Sequence, residues 1–293
     1  MPLTKPSHCK VNLLLNILAR RPDGFHELET VMQPVPLHDE LEFERVARGI
    51  QLSCSDPTLP TDGNNLVHRA AQAFLRATNI HDGVRIHLEK RVPKAAGLGG
   101  GSGDAATTLL GLNELFGHPL DAAKLRELAA ALGSDVPFFL QTCPALGTGR
   151  GERIEPLEPF LALRGVFILL IHPGFGISTP WAYKNLGRFP HAIHGRAGRA
   201  RELITQLRAS DLVAAGKSFH NSLEAPALHK FPVLSIHQEF LKSNGAAAAL
   251  MSGSGSTTFG IVRSRREGEE LLGRFRSKFG ESCWAALVAL DAA

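Results

Sequence analysis

Residues 93–106 of this 293-residue chain, Pro-Lys-Ala-Ala-Gly-Leu-Gly-Gly-Gly-Ser-Gly-Asp-Ala-Ala, combine the residue types that hold a phosphate. Glycines lack a Cβ, so the backbone can take positive φ, approach an anion closely and converge successive N–H groups on its oxygens. A helix that follows adds its positive end. The candidate cradle is therefore Lys94, Ala95, Ala96, Gly97, Leu98, Gly99, Gly100, Gly101, Ser102, Gly103 and Asp104.

Such a cradle needs a strand before it and a helix behind it, and the flanks supply both. Upstream, Val84, Ile86 and Leu88 alternate with Arg85, His87 and Glu89, the period of a half-buried strand. Downstream, Ala106, Leu109, Leu110, Asn113 and Phe116 recur at helical spacing over residues 105–116, and Gly117 stands where a helix end favours glycine. A flexible linker does not sit between two patterned elements. The dinucleotide loop G-x-G-x-x-G is disfavoured, because in the frames from Gly97 and Gly99 its last position is Ser102 or Asp104. Gly216-Lys217-Ser218 looks like the tail of a P-loop, yet the position five residues before Gly216 is Asp211, and the fragment reads as helix surface.

Length favours two domains, and 44% hydrophobic with 20% charged residues is a soluble globular balance. A net charge of +4, with the basic residues scattered, suits an anionic ligand and does not call for nucleic acid. Apolar runs such as residues 166–171 are too short to cross a bilayer, and no signal-peptide core follows Met1, so a cytoplasmic protein without a membrane partner is expected. Cys9, Cys54, Cys143 and Cys283 are far apart and suggest neither zinc nor disulfides. His191 and His194 lack further ligands nearby and fall in what reads as a polar loop over residues 190–201.

Along the chain, residues 9–18 read as a strand with Lys10 and Asn12 on the same face, residues 20–24 as a turn, and residues 25–28 as a returning strand. Further strands are expected at 41–45 and 50–54. A helix opens at Asn64 or Asn65 and buries Val67, Ala70, Ala71 and Phe74. After the glycine run come helices over 105–116 and 121–132, then a third capped by Ser134 or Asp135 with Pro137 in its first turn. Residues 155–159, Glu-Pro-Leu-Glu-Pro, mark the domain boundary. Beyond it lie a strand over 165–171, helices near Trp181, Arg201, Leu212 and Val233, a second glycine turn over 250–259, and strands at 260–263 and 284–290 around a last helix. The order suits an α+β sandwich without internal repeats.

Taken together, these segments resemble one family. Residues 93–106 resemble the ATP loop of the GHMP kinases, and residues 251–259 resemble their C-terminal glycine motif. Lys10-Val11-Asn12-Leu13, the run from Arg21 through Asp23-Gly24-Phe25-His26 to Thr30, and Gly133-Ser134-Asp135-Val136-Pro137-Phe138 are similar, within that superfamily, to the 4-diphosphocytidyl-2-C-methyl-D-erythritol kinases of non-mevalonate isoprenoid synthesis. The resemblance implies an α+β, two-domain GHMP kinase fold. Residues 1–158 would form the N-terminal ATP-binding domain, a left-handed-crossover-type α/β sandwich, and residues 159–293 a ferredoxin-like C-terminal domain. It also implies ATP with Mg²⁺ and a small-molecule acceptor phosphorylated at the 2-hydroxyl of its methylerythritol unit; the sequence leaves monomer and homodimer both open.

The same resemblance assigns roles. That hydroxyl is tertiary and weakly acidic, so taking its proton in the transition state is useful, and Asp135 matches the family's base. Lys10 matches the cation that would orient Asp135 and stabilise the transferring phosphoryl group. By pattern alone the two are a capping aspartate and a strand lysine. Phe25 and Tyr183 match the aromatic pair that sandwiches cytosine, with core packing as the other reading. His26 would fix the cytosine edge, Asn12 the sugar-phosphate side, and Gly253, Ser254 and Gly255 belong to the substrate-facing glycine motif. Asn65 matches the residue that reads adenine, and equally a helix cap. Ser102 is the nearest candidate ligand for Mg²⁺.

Three positions depart from the family pattern: Phe25 replaces a tyrosine, Ser102-Gly103 a Ser-Ser pair, and His8-Cys9 a Pro-Ala pair. The last two bear on how tightly phosphate is held. Other GHMP kinases, of the homoserine or mevalonate type, act on substrates with no base to stack, which the Asp-Gly-Phe-His segment speaks against. A nucleotide-binding relative without activity would need no paired Lys10 and Asp135.

Overall fold

The computed structural model describes residues 2–290. The strands are β1 (Leu3–Arg20), β2 (His26–Val46), β3 (Ile50–Cys54), β4 (Gly83–Glu89), β5 (Ala145–Gly149), β6 (Arg153–Pro156), β7 (Phe167–His172), β8 (His220–Asn221), β9 (Ala248–Met251), β10 (Thr258–Val262) and β11 (Trp284–Ala289). The helices are α1 (Leu66–Thr78), α2 (Gly100–Leu115), α3 (Ala122–Leu132), α4 (Thr179–Leu186), α5 (Pro190–Ile193), α6 (Arg199–Arg208), α7 (Leu212–Lys217), α8 (Glu224–Lys230), α9 (Val233–Ser243) and α10 (Arg265–Phe279). The chain forms two compact units, and it alternates between them. One holds β1 up to Cys9, Leu37–Pro93 and Gly99–Thr142; the other holds Lys10–Pro36, Lys94–Leu98 and everything described from Cys143 onward.

β1 and β2 are much longer than the alternation alone suggests. Pro34 and Pro36 each lack the N–H that a strand ladder uses. β2 nevertheless runs through them, and they fall where its pairing changes partner, from β5 at Leu28–Met32 to β4 at Glu40–Val46. The expected strands at 25–28 and 41–45 are therefore two ends of one element.

In the first unit β4 pairs antiparallel with β2 and parallel with β3. Phe43, Ile86 and Leu88 from this sheet pack with Val67, Ala70 and Phe74 of α1 and Leu109 and Leu112 of α2. Asn65 caps α1, its Oδ1 accepting the Val67 N–H at 2.9 Å, and the buried face is the expected one. Leu110, assigned by spacing to the buried face of α2, is instead 37% exposed. α2 is sparsely amphipathic because small residues at 103, 105 and 106 make most of it buried whichever way it faces.

The second unit contains a four-stranded antiparallel sheet in the order β11-β7-β10-β9. Numbered by appearance that order is 4-1-3-2. With α9 before β9 and α10 between β10 and β11, it is the β-α-β-β-α-β arrangement of a ferredoxin-like domain. Leu169, Ile171, Leu241, Val262, Leu271 and Phe275 fill the space between this sheet and its helices. A separate core joins Leu15, Ile17 and Leu28 to Ala182, Leu186, Leu234 and Met251. The short α5, within the stretch read as a polar loop, starts on Pro190, whose missing N–H costs nothing in a first turn.

Candidate active site

In the second unit the segment 94–98 lies against the turn that joins β9 to β10. Its carbonyl groups are taken in succession. Ala95 O accepts from Ile177 N (3.3 Å), Ala96 O from Thr257 N (3.1 Å), Gly97 O from the Ser252 hydroxyl (2.9 Å), and Leu98 O from Lys10 N (2.9 Å). With the acceptors spent on protein, the segment presents N–H groups as its chemistry. Positive φ at Ala95 (51°), Gly97 (77°) and Gly99 (72°) gives the alternating backbone of an anion nest. Lys94 and Ala95 are exposed, whereas the side chains of Ala96 and Leu98 are buried and anchor the segment.

Gly97 is required twice over. Its φ lies in the left-handed region, and a Cβ there would stand 2.1 Å from Ser252 O. Gly97→Ala therefore carries about 1–2 kcal/mol of conformational cost before the clash is counted. The expected result is a melting midpoint lower by at least about 2 °C together with weakened nucleotide binding. An unchanged midpoint would show that the segment relaxes freely.

The facing turn is held just as firmly. Asn221 Nδ2 donates to Met251 O (2.8 Å) and Gly253 O (2.7 Å), and Gly255 N donates to Ser252 O (2.9 Å). A Cβ on Gly253 would come within 2.8 Å of Gly97 O. Ser254 Oγ lies 2.9 Å from Thr179 Oγ1, at the start of α4. Asn221 and Thr179 carry no sequence signal as site residues, since a single polar residue in a short strand or at a helix start makes no pattern, whereas Ser252 lies in the glycine turn read from the sequence.

Lys10 and Asn12 share a face of β1, as the alternation requires. Lys10 is only 2% exposed, and its Nζ donates to Asn12 Oδ1 at 2.5 Å. Asn12 Nδ2 donates to Thr30 Oγ1 (2.9 Å), whose hydroxyl donates to Leu14 O (2.6 Å). Asn12 thus orients the lysine.

Phe25 is 50% exposed, with the Arg150 guanidinium 4.7 Å above its ring, so core packing is not its role. The turn that presents it is fixed by Asp23, which accepts from Phe25 N (3.1 Å) and pairs with Arg21. The His26 and Tyr183 rings lie 5.3 Å apart, tilted by 36°. Burial and the nearby Arg20 lower the His26 pKa, which favours a neutral imidazole able both to donate and to accept. Arg150 gave no sequence signal beyond its place among glycines at 147–151.

In the first unit the helix after the glycine run begins at Gly100, five residues before the expected start at 105. Glycine's low helix propensity hid the first turn. Gly99 is the N-cap and brings no capping side chain, and Gly103 N bonds Gly99 O at 2.9 Å. The amides of Gly100, Gly101 and Ser102 therefore have no acceptor within the helix, the condition for an anion site. A Cβ on Gly103 would lie 2.7 Å from His8 O, which accounts for glycine at this departure from the family's serine pair.

Two first-unit residues differ from expectation. Asp104, counted in the phosphate cradle, is 2% exposed and pairs with Lys90 Nζ at 3.0 Å, so its carboxylate faces the interior. Asp135 precedes a single 3-10 turn, Val136–Leu140, rather than an α-helix, and its side chain makes no capping hydrogen bond there. Asn65 caps α1, and its amide donates to Pro60 O at 2.8 Å. Among the described residues no group of three or more His, Cys, Asp or Glu is placed to hold a metal ion, and no helix is long and apolar enough to cross a membrane.

A glycine-rich loop seated on a second glycine turn, together with a ferredoxin-like sheet, defines a protein of the GHMP kinase class. The family descriptions "GHMP kinases N terminal domain" and "GHMP kinases C terminal" match residues 65–142 and 199–281. The chain is 44% identical to 4-diphosphocytidyl-2-C-methyl-D-erythritol kinase of Syntrophus aciditrophicus, over 92% of this chain and 94% of that protein. It is 39% identical to the enzyme of the same name from Pelotomaculum thermopropionicum, over 94% of each. A crystal structure of 4-(cytidine 5'-diphospho)-2C-methyl-D-erythritol kinase superposes with a TM-score of 0.81 at 36% identity, covering 98% of this chain and 99% of that one. The chain belongs to the 4-diphosphocytidyl-2-C-methyl-D-erythritol kinase family.

Proposed function

We propose that this protein is a small-molecule kinase that transfers the γ-phosphoryl group of ATP to the 2-hydroxyl of 4-diphosphocytidyl-2-C-methyl-D-erythritol. The observation that carries the reading is the cradle: four successive carbonyls of residues 95–98 accept from protein donors, and the first amides of the helix that follows have no acceptor within it. Relatives sharing 39% and 44% of their residues with it carry that substrate in their names.

Phosphoryl transfer leaves the protein mainly positioning and charge stabilisation to do. In this reading the N–H groups of residues 95–102 grip the triphosphate. Asp135, at the start of the 3-10 turn, takes the proton of the attacking hydroxyl. Lys10, fixed by Asn12, stabilises charge on the transferring group. Phe25 and Tyr183 offer π faces to cytosine while His26 reads its edge. Asn12 contributes through Lys10, Gly253 to Gly255 support the acceptor side, and Asn65 remains the adenine contact in this proposal, although both ends of its amide are already bonded.

Mg²⁺ brought by ATP would neutralise phosphate charge and keep most of its waters. The donor set suits that mode of binding: Ser102 offers one half-buried hydroxyl, and Asp104 is turned away toward Lys90. In this division of labour residues 1–158 carry nucleotide binding and residues 159–293 complete the acceptor site. The reading places the enzyme in the cytoplasm.

The deciding assay offers Mg·ATP with diphosphocytidyl-methylerythritol, homoserine, mevalonate or galactose and measures ADP. Turnover with the first alone supports the reading; turnover with another, or with none, rejects it. Phe25→Ala is expected to weaken binding of the cytidylyl substrate by about 1–3 kcal/mol, the usual stacking loss, without altering ATP affinity. An unchanged substrate Kd would remove Phe25 from the site.

A further inference from the structure

Within the first unit, at the two ends of the glycine-rich segment, three ionisable side chains meet out of water. Lys90 Nζ contacts Asp39 Oδ2 and lies 3.0 Å from Asp104 Oδ2. Asp39 is wholly buried, and its Oδ1 accepts from the amides of Arg91 (2.6 Å) and Val92 (2.8 Å). Lys90, Arg91 and Val92 are where the chain leaves β4 to enter the loop; Asp104 is in the second turn of α2, where it leaves. A Cβ on Gly100, the first residue of α2, would sit 3.2 Å from the Val92 side chain and 3.5 Å from Lys90 Nζ, so the two ends of the loop are close together at the ion cluster.

We propose that Lys90, with Asp39 and Asp104, is a positioning clasp that holds the two ends of the phosphate loop together and thereby sets the affinity for ATP; this rests on the reading of that loop as the ATP cradle. A fold has no need of such a cluster for stability, since two carboxylates and one ammonium are costly to bury and an apolar trio of similar volume does as well or better. Its value lies in geometry. The clasp ties amides 91 and 92 and the start of α2 to a common point, so the N–H groups between them are already ordered when a triphosphate arrives, and less freedom is lost on binding. Burial pulls the lysine's pKa down, but the two carboxylates outweigh it and raise it. Burial pushes the Asp104 carboxyl up to about 7 despite the lysine.

The test compares wild-type protein with Lys90→Met and Asp104→Asn, the latter nearly isosteric and still able to accept from Lys90. Melting midpoints report folding, and calorimetric titrations with ATP and, separately, with diphosphocytidyl-methylerythritol report affinity. The clasp predicts that Asp104→Asn stays folded with its ATP Kd raised at least about tenfold and its acceptor Kd unchanged, and that Lys90→Met is weaker still for ATP. Folded variants with wild-type ATP affinity overturn it. So does equal loss for both ligands, or unfolding of both variants, since each marks a general structural role. A wild-type protein that binds no ATP overturns the kinase reading and the clasp's role with it, whereas ATP binding by wild type and variants alike overturns the clasp alone.

Discussion

Asp135→Asn is expected to lower turnover by about two to four orders of magnitude, with ATP affinity nearly intact. The carboxamide has the shape of the carboxylate and cannot take a proton. The 3-10 turn that follows Asp135 is held by Val136, Pro137 and Phe138, all buried, and the substitution leaves them in place. A melting midpoint within a few degrees of the wild type is part of the expectation. Steady-state kinetics at saturating ATP decide the matter, and near-normal turnover would remove Asp135 from the mechanism.

Lys10→Met should cost about 10²–10³ in kcat, the range seen when one preorganised stabiliser of developing charge is removed. Methionine fills a space similar to the lysine stem, which is buried, so the core of β1 keeps its volume. The carbonyl oxygen of Asn12 loses its donor, and a drop in stability of about 1–3 kcal/mol accompanies the change. Because that drop is small beside the kinetic loss, the two can be separated by assaying well below the melting midpoint. Turnover within a factor of about three of wild type would show that the ammonium does not stabilise the transition state.

The parts of the fold that could be read from the sequence are those whose signal is local. Residues 66–78 carry a cap and four apolar positions on one face, and α1 forms as expected. The second glycine turn and the strands around it are marked by composition, and β9 and β10 form there. Elements defined by a distant partner were hidden. β8 is two residues long and exists because His220 and Asn221 pair with Leu14 and Leu15. The β5–β6 hairpin is rich in glycine and gains its stability from β2.

The candidate site divides the same way. The glycine run stands out because its composition is unusual, whereas Lys10 is told from an ordinary strand lysine only by the family resemblance. Asp39 and Lys90 do not, since a lone acid and a lone lysine 51 residues apart acquire meaning only when both are buried at one point. Asp104 shows the converse. It sits inside the glycine motif, and nothing in the motif says that its carboxylate points inward.

The alternation of the chain between its two units bears on how the protein is made. Leu15, Ile17 and Leu28 emerge first from the ribosome, yet their packing partners include Ala182, Leu234 and Met251. Those early apolar strands must wait, uncovered, while more than two hundred further residues are synthesised, as the separation of Leu15 from Met251 requires. Nascent chains of this protein therefore pass through a long interval in which a chaperone that shields extended apolar segments has something to hold.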